Sequence, residues 1–260
     1  MHNRTDNRTP EPPIDAFRKL NVDDHVKAPE TKQVYVTTMF DVIAPGYDRF
    51  TRLFSFGMDR GWKRKLVQLI VPLLPDRPVV LDLACGTGDI CKAVASLSKS
   101  ARVWGLDVSR EMLIIGRRST NAGQIGFSEA DGMRLPTADS SADLVTVGYG
   151  LRNFPDCEAA VREIARVLKP GGLFACLDFY RPSNAVWREV YLGYLKVAGT
   201  AYSLVTHGHG PVFGYISGSI RRHLAAGEFT ECLERNNFEL EAVESTLLGG
   251  VCLHVARKRQ

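Results

Sequence analysis

The 260-residue chain is 45% hydrophobic and carries a formal net charge of +4, so it can bury one substantial core and has no bulk charge that calls for nucleic acid as a partner. Its six cysteines (Cys85, Cys91, Cys157, Cys176, Cys232 and Cys252) form neither a C-x-x-C pair nor the dense framework of a small secreted fold, which reads as reduced thiols in a cytoplasmic protein. No run of about 18 apolar residues offers a membrane span, and the polar N-terminus lacks the apolar region of a signal peptide.

Residues 1–30, with the run Thr9-Pro10-Glu11-Pro12-Pro13, are too polar and proline-punctuated to hold a packed structure, and a flexible tail is expected there. Apolar residues at helical spacing from Val34 to Arg52, and again from Met58 to Val71, predict N-terminal helices over 31–75. The basic residues around Trp62 (Arg60, Lys63, Arg64 and Lys65) read as a solvated helix face, with contact to anionic lipid as the alternative.

From Arg77 short β-branched or leucine-rich runs alternate with helical stretches, the pattern of a parallel sheet wound by βαβ units. Strands are expected near 78–83, 102–106, 125–129, 143–148 and 172–178, and helices near 89–98, 110–119 and 157–168. Further helices follow at 184–205 and 228–236, and the runs 238–246 and 250–257 predict an antiparallel hairpin turned by Leu248-Gly249-Gly250. The expected fold is α/β and Rossmann-like: a seven-stranded, mostly parallel sheet with helices on both faces, in a single domain over 31–260.

The strongest local signal is Val79-Val80-Leu81-Asp82-Leu83-Ala84-Cys85-Gly86-Thr87-Gly88-Asp89, an apolar strand entering a glycine turn that opens a helix. Glycines there admit a ligand that a Cβ would exclude. The dinucleotide fingerprint G-x-G-x-x-G is the nearest rival, but Cys91 stands where its third glycine or alanine belongs, which counts against a nicotinamide-dependent oxidoreductase. Asp107 closes the next strand, 19 positions after Gly88, where an acid can accept from both ribose hydroxyls; its alternative is a helix cap, which Ser109 can supply alone. Asp131 and Gly132 follow the third strand, where a carboxylate can accept from the adenine amine. Leu168-Lys169-Pro170-Gly171-Gly172 ends a helix and turns into the fifth strand.

The Asp82-x-x-Cys-Gly-Thr-Gly element resembles the first motif of class I methyltransferases. That resemblance implies S-adenosylmethionine as cofactor, with its amino-acid end on the turn and with Asp82, Gly86, Thr87, Gly88, Asp107, Met112, Asp131, Gly132 and Gly148 around it. A non-catalytic scaffold is disfavoured, since both the turn and Asp107 are present.

A closer resemblance, over roughly residues 35–257, is to the UbiE family of ubiquinone and menaquinone C-methyltransferases. It rests on Met39-Phe40-Asp41 with Tyr47-Asp48, Leu53 to Gly57 with Trp62-Lys63-Arg64, Gly150-Leu151-Arg152-Asn153, and Tyr215 with Ser219-Ile220-Arg221. It implies a hydrophobic acceptor, a polyprenyl quinol, and catalytic roles for Arg152, Asn153 and Tyr47. A ring carbon becomes nucleophilic when a phenol proton leaves; Arg152 can stabilise the phenolate or orient a water, and Asn153 can hold its oxygen. The plainer reading of Arg152 is an ion pair with Asp156 or Glu158, and that of Tyr47 is core packing.

The apolar helix through Trp187, Tyr191, Tyr194, Leu195 and Tyr202 suits both a core face and a lid over 183–225, with peripheral contact at the inner membrane face and a homodimer as open expectations. His207-Gly208-His209 is a weak metal pair, better read as loop. Departures from the family pattern are Thr51 for asparagine, Gly148 for serine, Phe213 for tyrosine and Leu224 for proline. They fall on substrate-side elements, which keeps a paralogue acting on another phenol, amine or lipid open.

Overall fold

The structure is a computed structural model, and it describes residues 29–55, 57–121, 123–207 and 214–260. Of the tail expected over 1–30, residues 1–28 lie outside the described residues and the last two open the first helix, while of His207-Gly208-His209 only His207 is described, at the end of a helix.

Seven strands form one sheet: β1 (Val79–Leu83), β2 (Arg102–Asp107), β3 (Ile125–Glu129), β4 (Ala142–Gly148), β5 (Leu168–Phe179), β6 (Phe238–Thr246) and β7 (Val251–Lys258). Their order is β3-β2-β1-β4-β5-β7-β6. All neighbours are parallel except β7, which runs antiparallel to β5 and β6. The chain lays β1 to β3 outward in one direction, then crosses back to place β4 beside β1. A crevice therefore opens at the carboxyl ends of β1 and β4, the ligand-binding position of open α/β sheets.

Helices cover both faces, and the alternation of the strands sorts their side chains. Leu81, Leu83, Val145, Val147, Phe174 and Cys176 face α6 (Cys157–Val167) and α9 (Ala226–Arg235). Val80, Leu144, Leu173, Ala175 and Leu177 face α3 (Asp59–Ile70) and α4 (Asp89–Leu97). A third cluster joins Tyr35, Val36, Met39 and Ile43 of α1 (Pro29–Ile43) to Tyr191, Leu192 and Leu195 of α7 (Ala185–His207) and to Tyr215 and Ile220 of α8 (Gly214–Arg222). With α2 (Tyr47–Phe54), these helices lie over the carboxyl edge of the sheet. The remaining helix, α5 (Arg110–Arg118), starts at a Ser109 cap whose hydroxyl accepts from Met112 N at 3.3 Å.

The ring of Phe127 on β3 occupies space that side chains at three glycines would fill. A Cβ added at Gly88, Gly105 or Gly116 would lie 2.8, 2.8 or 3.0 Å from that ring. These glycines let the turn, β2 and α5 close around one aromatic side chain.

Two expectations need correction. The fifth strand begins at Leu168, directly after α6, and not at 172. Leu168 pairs with Ala142 and Leu173 with Leu144, so Lys169 to Gly172 bulge out while Lys169 Nζ pairs with Asp143 at 2.8 Å. The final hairpin turns through a 3-10 segment, Leu247–Gly249, one residue earlier than the glycine pair suggests, with Leu248 itself left-handed at φ 50°.

Candidate active site

The crevice is a cleft of about 800 Å³, partly open to solvent, between the ends of β1, β2 and β4 and helices α1, α2 and α3. Its floor is the glycine turn. Gly86 has φ +54° and open space where a Cβ would stand, so the backbone presents itself bare to the cleft. Asp107 ties this turn to the start of α5. Its carboxylate accepts from Gly86 N and from Ser109 N, each at 2.8 Å. Burial pushes its pKa up to about 6 against those two N–H donors. Asp82, beneath the turn, accepts from the Thr146 hydroxyl at 2.6 Å and the Cys91 thiol at 3.2 Å, and burial raises it likewise to about 6.

The N-terminal helices reach the same place through polar side chains. Asp48 on α2 accepts from the Thr87 hydroxyl at 3.0 Å, and Asp41 on α1 accepts from the Ser109 hydroxyl at 2.6 Å. Lys63 on α3 donates to Asp89 at 2.8 Å, lies 3.8 Å from Asp59, and sits 5.7 Å from the centre of the Tyr149 ring. Burial opposes its charge, but Asp89 outweighs that and holds its pKa above the ordinary value. The reading of a solvated basic face is therefore corrected at Lys63, which turns inward to line the cleft, while Arg60, Arg64 and Lys65 stay exposed and Lys65 pairs with Glu244.

The other wall follows β4. Tyr149 has φ +60°, a strained conformation for an aromatic residue. Its carbonyl accepts from Arg152 Nη1 and, at 3.3 Å, from Asn153 Nδ2. Arg152 Nη1 also donates to Asp178 Oδ1 at 2.7 Å, and Arg152 N to Asp178 Oδ2 at 3.2 Å. Arg152 thus pairs with Asp178 at the end of β5, and not with Asp156 or Glu158, the plainer alternative to a substrate-side role. The buried Tyr149 hydroxyl and Asn153 Oδ1 have no hydrogen-bond partner among the described residues. Tyr47 stands edge-on to Phe40, ring centres 5.8 Å apart, and burial raises its pKa.

Of the residues singled out in the sequence, Tyr47, Asp82, Gly86, Thr87, Asp107, Met112, Gly148 and Asn153 come together on the cleft. Four do not line it. Gly88 backs onto Phe127 and Gly132 onto Phe154, Asp131 turns back to accept from Met133 N at 2.9 Å, and Arg152 faces a separate cavity with Lys32, Ser219 and His223. Sequence reasoning missed Asp178, Asp41 and the inward turn of Lys63. The acid closing an otherwise apolar fifth strand was the one available signal for Asp178. Among the described residues no group of three potential ligands suits a metal ion.

Residues 27–258 match the model of the ubiE/COQ5 methyltransferase family. The chain belongs to that family. It is 31% identical over 239 residues to a demethylmenaquinone methyltransferase of Lactobacillus johnsonii, covering 90% of this chain and 96% of that protein. It is 42% identical over 160 residues to one of Thermus thermophilus, covering 61% and 72%. An S-adenosylmethionine-dependent methyltransferase from Mesorhizobium loti shares the fold at a TM-score of 0.53 and 20% identity, over 73% of this chain and 96% of that one. One from Methanosarcina mazei does so at 0.53 and 21%, over 74% and 97%.

The protein is an S-adenosylmethionine-dependent methyltransferase, and its cleft fits that cofactor. Four aspartates (Asp48, Asp82, Asp89 and Asp107) line the cleft around the bare Gly86 backbone. A ligand carrying sulfonium and ammonium charges matches that acidic lining.

Proposed function

We propose that this methyltransferase C-methylates the ring of a polyprenyl quinol, with demethylmenaquinol, a naphthoquinol, as the first choice of acceptor and the demethylated benzoquinol precursor as the second. The observation that carries this reading is the pair of buried, unpartnered polar atoms, Tyr149 hydroxyl and Asn153 Oδ1, on residues that line the cleft together with Val36, Phe40, Ile90 and Phe154, the apolar part of a lining that also holds the four aspartates. A flat apolar ring bearing hydroxyls supplies partners for both. The first choice is supported by the demethylmenaquinone methyltransferases among the relatives.

S-adenosylmethionine supplies an electrophilic methyl group. The chain's part is to hold the ring carbon in line with it, to exclude water, and to favour loss of the phenol proton. Asn153 orients the ring hydroxyl and Tyr47 closes the opposite wall. Arg152 stays charged, because Asp178 outweighs the cost of its burial and raises its pKa. Its role is to fix the strained Tyr149–Asn153 corner and to lend positive potential toward a forming phenolate. In this reading Asp107 accepts from the ribose hydroxyls, and Asp131 reaches the adenine amine once its side chain leaves Met133 N.

The helices over the cleft would act as a lid. Val186, Val190 and Val197 form an exposed apolar stripe on α7, suited to peripheral contact with the membrane that holds a prenylated substrate. No described helix is long and apolar enough to cross a membrane.

The test is transfer of labelled methyl to short-tailed demethylmenaquinol and to the reduced benzoquinol precursor. Product from the first alone supports the naphthoquinol reading. Product from neither, with cofactor binding demonstrated, overturns the quinol assignment and favours another phenol, amine or lipid.

A further inference from the structure

S-adenosylmethionine carries two positive charges, on sulfonium and ammonium, and one negative, on its carboxylate. The cleft mirrors that pattern with four aspartates and, among its described lining residues, a single cation, Lys63. Aspartates cannot receive a carboxylate, since two like charges at short range each disfavour the ionised form of the other. The amino-acid end belongs at the bare glycine turn, and Lys63 is held beside that turn by Asp89, the residue next to Gly88, at 2.8 Å. Its side chain is only 15% exposed, so its charge acts in a partly desolvated site, where a pairing is worth more than at the surface.

We propose that Lys63 is the anchor for the carboxylate of the cofactor's amino-acid end. Lys63 on α3 and the glycine turn after β1 then grip the two sides of the same zwitterion. Asp89 and Asp59 hold the ammonium in place before the ligand arrives, so that little ordering remains to be done on binding. The basic run around Trp62 acquires a division of labour, with Lys63 serving the cleft and Arg60 and Arg64 left exposed at its outer side.

The test compares two ligands on the full-length protein by calorimetric titration. S-adenosylhomocysteine carries the amino-acid end; 5′-methylthioadenosine keeps the adenosine and the thioether and lacks it. For K63Q the dissociation constant of S-adenosylhomocysteine is expected to rise about 30-fold, the scale of a lost semi-buried charge pair, while that of 5′-methylthioadenosine changes less than about twofold. K63R should recover much of the loss. Because K63Q strands Asp89, the variant K63Q/D89N, which removes both charges, is measured in parallel and should show the same ligand selectivity. Equal weakening of both ligands, or no weakening of either, overturns the proposal.

Discussion

Arg152 and Asp178 meet at 2.7 Å with side chains only 5% and 0% exposed, 26 positions apart in the chain. A buried pair of this kind costs most when one partner is removed, because the other is left charged and unpaired. Arg152→Ala should therefore destabilise the fold by about 3–5 kcal/mol in chemical denaturation. The double variant Arg152→Met/Asp178→Leu should regain most of that stability while methyl transfer stays lost. If the double variant regains activity, the pair serves packing alone.

Gly86 gives a test that separates binding from folding. Alanine at φ +54° costs about 1–2 kcal/mol of backbone strain, and its methyl group would enter the cleft where no protein atom lies within 4 Å. Gly86→Ala should keep a cooperative thermal transition while cofactor affinity drops at least about tenfold, a methyl-sized clash being worth more than 1.4 kcal/mol. Unchanged affinity would remove the turn from the cofactor site.

Asp82 and Asp107 make stability depend on pH in an unusual direction. Burial raises both from 3.8 to about 6, so the native state holds protons that the unfolded chain has released. Their favourable contribution is complete below pH 3.8 and is lost as pH rises through about 6, by roughly 3 kcal/mol at most for each group. Asp82→Asn should flatten the fall in stability between pH 4 and 6, measured by urea unfolding at fixed ionic strength. Cofactor affinity should follow the opposite course and weaken below about pH 6 if Asp107 meets the ribose hydroxyls as proposed, since a protonated carboxyl is a poorer acceptor.

Asp41 and Asp48 fasten the N-terminal helices to Ser109 and Thr87. Asp41→Ala or Asp48→Ala should each raise the cofactor's dissociation rate about tenfold, consistent with loss of one charge-assisted hydrogen bond. The association rate, read by stopped-flow fluorescence, should change little. A slower dissociation would contradict a clamp.

The sheet was legible because its signals are local. The central strands β1 and β4 are rich in apolar residues, and the Asp82-to-Gly88 turn and Asp107 carry their meaning in their own spacing. Where pairing across the sheet decides the outcome, as at Leu168, the Pro170-Gly171-Gly172 run looked like a boundary and proved to be a bulge inside the strand. Lys63 shows the harder case. It shares its charge and its helix with Arg60, Arg64 and Lys65, and only the docking of α3 against α4 chooses which of them meets Asp89. Asp178 could not be joined to Arg152 from sequence either, because their contact depends on two adjacent strands ending at the same height.

The seat of Phe127 limits how this enzyme can be made more heat-resistant. Exchanging a helix glycine for alanine ordinarily gains about 1 kcal/mol, and Gly116, within α5, is the obvious place to try it. Here the new methyl group would meet the ring at 3.0 Å and Thr87 O at 3.3 Å, so the ring and the glycine turn must both give way by a few tenths of an ångström. A consensus-style alanine at this position should therefore gain less than the ordinary helix value unless residue 127 is made smaller at the same time.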